Sequence, residues 1–229
     1  MTAIHLHDVH FRWSPQANDI LHIPELHIPR GELVFIQGHS GSGKTTLLNL
    51  IAGIHRPQQG KVQVLETDLT TLSATKRDQF RAQHLGIIFQ QFNLLPYLSL
   101  LENVQLSCQF STKRKAKVGD LLKASLRLLD ELQIARSMLH KSVNTLSVGQ
   151  QQRVAVARAL IGQPEIIIAD EPTSSLDNDN RQRFLDLLFS EVKQQDSTLI
   201  FVSHDAALST HFSTVIKLNE LNLAETISS

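Results

Sequence analysis

The most constraining stretch of the chain is Gly38-His39-Ser40-Gly41-Ser42-Gly43-Lys44-Thr45, which matches G-x-x-x-x-G-K-[ST] at every fixed position. Its flanks matter as much as the match. Leu33-Val34-Phe35-Ile36 is a short apolar run that reads as a buried strand, and Thr45 to Ala52 reads as a helix stopped by Gly53 and Pro57. Strand, glycine-rich turn and helix form the opening of an α/β unit. In such a loop the backbone N–H groups curl around phosphate oxygens, and the helix turns its positive end toward them. Lys44 is placed to reach the β- and γ-phosphates, and the Thr45 hydroxyl to hold Mg2+. Alone, the loop specifies a nucleotide and nothing finer.

A second constellation is Ile166-Ile167-Ile168-Ala169-Asp170-Glu171. A buried strand ending in Asp170 sets a carboxylate where it can hold Mg2+ through water. Glu171 next to it is positioned to orient and deprotonate an attacking water as general base. Strand character returns at Leu199-Ile200-Phe201-Val202 and at Thr214 to Leu218, and Leu85 to Phe89 is a further apolar run. At the start, Ile4, Leu6, Asp8 and His10 alternate loosely with His5, His7, Val9 and Phe11 as in a strand; Ile20 to Ile28 reads as a second strand interrupted by Pro24. The middle third differs. Leu121, Ser125, Leu128 and Leu132 share a helical face, and Val148 to Ile161 is helical up to Gly162 and Pro164. Asn178 to Lys193 carries Phe184, Leu185, Leu188 and Val192 on another face. The outer thirds are therefore expected to be α/β and the middle third an α-helical insertion.

Composition removes several classes of partner. The 229 residues are 41% hydrophobic and 19% charged, as in a chain with a packed core. The 22 basic residues balance 22 acidic ones, so no whole-molecule field recruits nucleic acid or anionic lipid, and no nucleic-acid partner is expected. Cys108 is the only cysteine, which excludes a disulfide framework and a cysteine-rich metal site. No apolar run is long enough to span a bilayer. The first residues mix His5, His7, Asp8, His10 and Arg12 with apolar ones, unlike a signal peptide, so the chain is expected in the cytosol.

Leu146-Ser147-Val148-Gly149-Gln150-Gln151-Gln152-Arg153 makes the reading specific, because it resembles the Leu-Ser-Gly-Gly-Gln signature of ATP-binding cassette (ABC) ATPases. Ser147 and the Gly149 N–H stand at a helix start, where an anion is well held. Val148 replaces the first glycine of the signature. A β-branched residue is strongly disfavoured at positive φ, so the backbone there is expected to be helical or extended with the side chain turned from phosphate. Further matches follow in the family's order. Gln90 resembles the Q-loop glutamine that senses Mg2+, Ser174-Ser175-Leu176-Asp177 resembles the D-loop, and His204 resembles the switch histidine at the γ-phosphate. On its own His204 reads as an ordinary strand-end histidine, as do the other histidines. Phe11-Arg12-Trp13 fits the family's adenine-stacking pattern with Trp13 in the stacking position and Phe11 in the core. Phe89 to Pro96 and Leu101 to Val104 look most like the lipoprotein-release and macrolide-export type. The basic run Lys113-Arg114-Lys115-Ala116-Lys117 reads as a solvated loop rather than a lipid or permease contact.

The resemblance implies an ABC ATPase domain over 1–229: a RecA-like P-loop core at roughly 1–87 and 163–229, carrying an N-terminal antiparallel β subdomain, with an inserted helical subdomain at roughly 88–162. It implies a transport-coupled ATPase that powers a membrane permease by ATP-driven closure of a homodimer on the cytoplasmic face of the membrane. A regulator of a cell-envelope enzyme acting through a permease-like partner is the alternative. Implied nucleotide contacts are Trp13, the loop Gly38, His39, Ser40, Gly41, Ser42, Gly43, Lys44, Thr45 and Thr46, and, across the dimer, Ser147, Gly149, Gln150 and Asp177. Implied Mg2+ ligands are Thr45, Gln90 and Asp170; implied catalytic residues are Glu171, His204 and Gln90.

Overall fold

The computed structural model describes residues 1–224 apart from 175 and 177, with 178–180 described in their backbone alone. Chain order is β1 (Thr2–Phe11), β2 (Leu21–Pro29), β3 (Leu33–Gln37), α1 (Lys44–Ile51), β4 (Gln59–Val64), β5 (Thr67–Asp68), α2 (Ala74–His84), β6 (Leu85–Ile88), α3 (Leu100–Gln109), α4 (Thr112–Val118), α5 (Leu121–Glu131), α6 (Val148–Leu160), β7 (Ile166–Asp170), α7 (Asn178–Gln194), β8 (Thr198–Ser203), β9 (Thr214–Lys217) and α8 (Leu218–Leu221). The chain forms two compact units, Met1–Arg81 with Thr198–Ser229, and Ala82–Ser197.

The first unit holds an antiparallel sheet in the order β2-β1-β4-β5 and a parallel trio in which β3 lies between β8 and β9. Residues 34–36 and 198–203 are all buried, as strands covered on both faces must be. Phe35, Phe201 and Phe212 pack there with ring centroids 5.2 to 6.2 Å apart. Pro24, expected to interrupt the second strand, is carried within β2. It is tolerated because β2 is the edge of its sheet, where a missing N–H breaks no interior ladder. The loose alternation of β1 has a cause as well. Ile4 and Leu6 are buried, and then Val9 and Phe11, so the inward phase shifts by one residue. The shift is absorbed at Asp8, which has φ 49, within a slip of the β1–β4 register between His7 and His10.

In the second unit β6 and β7 pair in parallel from Leu85 against Ile166 to Ile88 against Ala169. Helices α3 to α6 follow β6. Ser99 and Glu102 form a capping box at the start of α3, and Asp120 caps α5, which turns Ser125, Leu128 and Leu129 inward. The basic run is not a solvated loop. It forms α4, with Arg114 only 2% exposed and donating to the carbonyls of Leu85 at 3.0 Å, Ala159 at 2.7 Å and Ile161 at 2.9 Å. Burial pulls the Arg114 pKa down to about 10. Lys113 and Lys117 approach Glu165 at 2.9 and 3.2 Å. Burial alone raises the Glu165 carboxyl, but hydrogen bonds from His84 and Lys113 outweigh it and hold the group well below the carboxylate range. The periodicity of charge could not disclose this, because the carbonyls that Arg114 satisfies come from elements some thirty to fifty residues away in sequence. Among the described residues no helix is long and apolar enough to cross a membrane.

Candidate nucleotide site

In the first unit, β3 is in register with both neighbours to its end, Gln37 against Ser203 of β8 and against Lys217 of β9. The loop from Gly38 and the residue His204 therefore leave the same carboxyl edge, the edge at which open α/β sheets bind ligands. Gly43 is the N-cap of α1 at φ 93, a left-handed conformation that side chains resist, and no side chain caps the helix there. At Gly38 an added Cβ would stand 2.5 Å from Ser42 Oγ and would displace that hydroxyl. Ser42 Oγ is itself buried without a hydrogen-bond partner among the described residues. A buried hydroxyl in that position awaits an acceptor, and a phosphate oxygen is one. Lys44 is 9% exposed, and its ammonium donates to the carbonyls of Gly38 at 2.7 Å and His39 at 2.8 Å. His39, Ser40, Gly41 and Thr45 face solvent, whereas Thr46 is buried. An uncapped helix start, an orphan hydroxyl and a tethered cation fit a polyphosphate.

Trp13 belongs to the same end of this unit. Its loop is closed by the Ile20 N–H donating to the Phe11 carbonyl at 2.8 Å, and Ile20 and Leu21 are the side chains that a Cβ on Gly43 would meet. Trp13 is 60% exposed and Phe11 4%, so Phe11 is the core ring and the indole stands at the surface. The reading from sequence missed His55. Its ring lies 5.6 Å from Phe11 and 5.1 Å from Trp13, nearly perpendicular to the indole, and so braces it. No sequence signal marks a histidine just past a helix stop; its partner exists only in the fold.

The second unit carries the carboxylates. Pairing of Ile88 with Ala169 sends both chains off the β6–β7 pair side by side, two residues before Gln90 and two before Glu171. Asp170 ends β7, and Glu171 is 9% exposed with φ 47. Left-handed backbone costs an L-residue about 1–2 kcal/mol, and such strain gathers at functional positions. Gln90 is exposed and leads into Phe92 and Asn93, at φ 58 and 48.

Two residues of α6 that the motifs did not single out grip these loops. Arg158, 8% exposed, donates to the carbonyls of Asn93 at 2.6 Å and Phe92 at 2.5 Å. Gln152, 1% exposed, donates to the carbonyl of Pro172 at 2.6 Å. At the other end of the helix, Ser147 Oγ accepts from the Gln150 N–H at 3.3 Å, and Gln150 Oε1 accepts from the Ser147 N–H at 2.9 Å. Ser147 is thus an N-cap whose own O–H proton is not used in that pair, and Gln150 spends its carbonyl on the cap. Val148 is the first residue of α6 and 53% exposed, so its backbone is helical as expected. Space beside Gly149 is open. Asp177 lies outside the described residues, as does Ser175.

The first unit thus gathers Trp13, the loop 38–46 and His204, and the second gathers Gln90, Asp170 and Glu171 and presents Ser147 and Gly149. A family model described as ABC transporter matches residues 21–174. The chain is 38% identical over 201 residues to an uncharacterized ABC transporter ATP-binding protein, YbbA, of Escherichia coli (strain K12), covering 88% of this chain and 86% of that one. It is 37% identical over 205 residues to the lipoprotein-releasing system ATP-binding protein LolD of Saccharophagus degradans, covering 90% and 88%. Among solved structures it resembles the dimeric post-hydrolysis state of the ATP-binding cassette MJ0796 bound to ADP and Pi, with a TM-score of 0.82, 34% identity and 93% of each chain covered.

Proposed function

The chain belongs to the ABC transporter family, and from that premise we propose what its residues do. It is an ATP-binding and ATP-hydrolysing subunit that powers a membrane transporter through ATP-driven dimer closure, and it resembles the lipoprotein-release type. Trp13 stacks on adenine. The backbone N–H groups from Gly38 to Thr46, Ser42 Oγ and the Lys44 ammonium hold the phosphates. Thr45, Gln90 and Asp170 supply the oxygen ligands for Mg2+, which when bound would neutralise charge that develops on the phosphates during transfer. Glu171 takes a proton from the attacking water, and His204 donates toward the γ-phosphate.

The second subunit of a homodimer supplies Ser147, Gly149, Gln150 and Asp177. The O–H of Ser147 and the open N–H edge of α6 give anion donors at a helix start, suited to a γ-phosphate held by the other copy. Residues 88–162 act as the helical subdomain that meets the permease, and the protein works on the cytoplasmic face of the membrane through that partner.

The observation that carries the catalytic assignment is Glu171, buried to 9% exposure at φ 47 directly after the β7 strand. Glu171→Gln keeps its size and polar contacts and removes the base. Hydrolysis should fall by about 10²–10⁴-fold while ATP binding persists, leaving an ATP-bound dimer visible by gel filtration. Turnover at the wild-type rate would remove Glu171 from the role.

A further inference from the structure

The outer face of the β1–β2 ribbon carries a cluster that nucleotide chemistry does not use. His10 and His22 are cross-strand partners, their rings stacked with centroids 4.0 Å apart and 23° between planes. Both Nε2 atoms face one carboxylate oxygen, Asp8 Oδ1, at 3.3 Å from His10 and 3.9 Å from His22. One ligand atom from each of the three residues lies within 4.8 Å of the others. We propose that Asp8, His10 and His22 bind one divalent transition-metal ion of the zinc, cobalt or nickel kind.

His10 Nδ1 lies 2.7 Å from Asp19 Oδ2, which leaves its Nε2 turned toward Asp8 Oδ1. The arrangement has the supports of a metal site. A carboxylate on the far nitrogen of a ligating histidine fixes its tautomer and direction, and Asp19 does this for His10. Asp19 is in turn approached by Arg12 Nε at 2.9 Å, and the other oxygen of Asp8 accepts from Gln59 at 2.7 Å.

The backbone is arranged to make the cluster. Strict alternation along β1 would place Asp8 and His10 on the face that buries Ile4 and Leu6. The bulge at Asp8, held at φ 49, turns both outward instead. The bulge requires Gly60 opposite it, because a Cβ there would stand 2.1 Å from the Asp8 carbonyl oxygen. Imidazole and carboxylate suit late first-row ions better than Mg2+ or Ca2+. Ligands about 2.0–2.1 Å from a tetrahedral ion lie roughly 3.3–3.4 Å apart. The 3.3 Å from His10 Nε2 to Asp8 Oδ1 already meets this, and the stacked rings must turn out of their stack for both in-plane lone pairs to converge on one ion, with water as the fourth ligand.

The test uses the untagged, full-length, nucleotide-free chain stripped with chelator. Titration with Co2+ should give one ion per chain with the visible absorption of a tetrahedral centre, displaced by Zn2+. His22→Asn and His10→Asn should each weaken binding at least tenfold, and circular dichroism checks that both fold. Asp19→Asn retains every ligand and should weaken binding by about 10–100-fold, an effect that loss of a ligand cannot explain. His5→Gln with His7→Gln, on the same face but hydrogen-bonded to Glu25, should leave binding unchanged. Absence of stoichiometric binding overturns the proposal, as does binding that survives His22→Asn or depends on His5 and His7.

Discussion

Arg158→Met tests whether α6 positions the Q-loop. The guanidinium holds two carbonyls of consecutive left-handed residues, at 2.5 Å from Phe92 and 2.6 Å from Asn93. Phe92 is 8% exposed, so its carbonyl would be left without a donor at a cost of about 1–3 kcal/mol. Asn93 is exposed, water can replace the guanidinium there, and that half is worth under about 1 kcal/mol. Two gains oppose the loss. Burial already depresses the Arg158 pKa, so methionine escapes the desolvation of a charge, and part of the left-handed strain, about 1–2 kcal/mol per residue, is released as the loop relaxes. The expected net loss is about 1 kcal/mol in urea unfolding. Relaxation carries Gln90 out of place, so kcat should fall at least tenfold with little change in nucleotide affinity. Arg158→Lys keeps the charge but not the fork, reaches one carbonyl, and should recover part of both losses. If Arg158→Met unfolds within about 0.5 kcal/mol of wild type and retains its kcat, the loop is held by something else and Arg158 is not a positioning residue.

Trp13→Ala should weaken ATP binding by about 1–3 kcal/mol with unchanged turnover at saturation, since an exposed ring contributes little to folding. Phe11→Ala removes a ring that is 4% exposed and should cost about 3–5 kcal/mol of stability instead; nucleotide titration beside thermal unfolding separates the two, and a reversed pattern moves the stacking role to Phe11. Cysteines replacing Ser40 and Ser147, both exposed, should cross-link different subunits in the ATP-bound Glu171→Gln background. The native Cys108 does not compete, being buried with its thiol pKa pushed up by that burial; a cross-link confined to single chains would refute the shared site.

Local chemistry alone makes much of this protein legible in its sequence. A strand, a glycine-rich turn with Lys44 and Thr45, and a helix can be recognised from one contiguous stretch of residues, although β3 finds its ladder only in β8 and β9. The same holds for the buried run ending in Asp170, the cap at Ser147 and the helical phase of α5. The ABC family could be named because its motifs are contiguous strings. Tertiary structure decided what depends on residues far apart in the chain. Arg114 lies in a stretch that reads as solvated and is buried, because three carbonyls from β6 and the end of α6 need donors. Pro24 continues a strand because, among the described residues, no strand pairs with the outer edge of β2. His55 matters because Phe11 and Trp13 arrive beside it, and Arg158 because the Q-loop turns two carbonyls toward it. Asp8, His10 and His22 converge only through a bulge that reverses the faces of β1. Short-range propensity acts before the chain has packed; hydrogen-bond partners, burial and ligand convergence are fixed only when distant segments exclude water together.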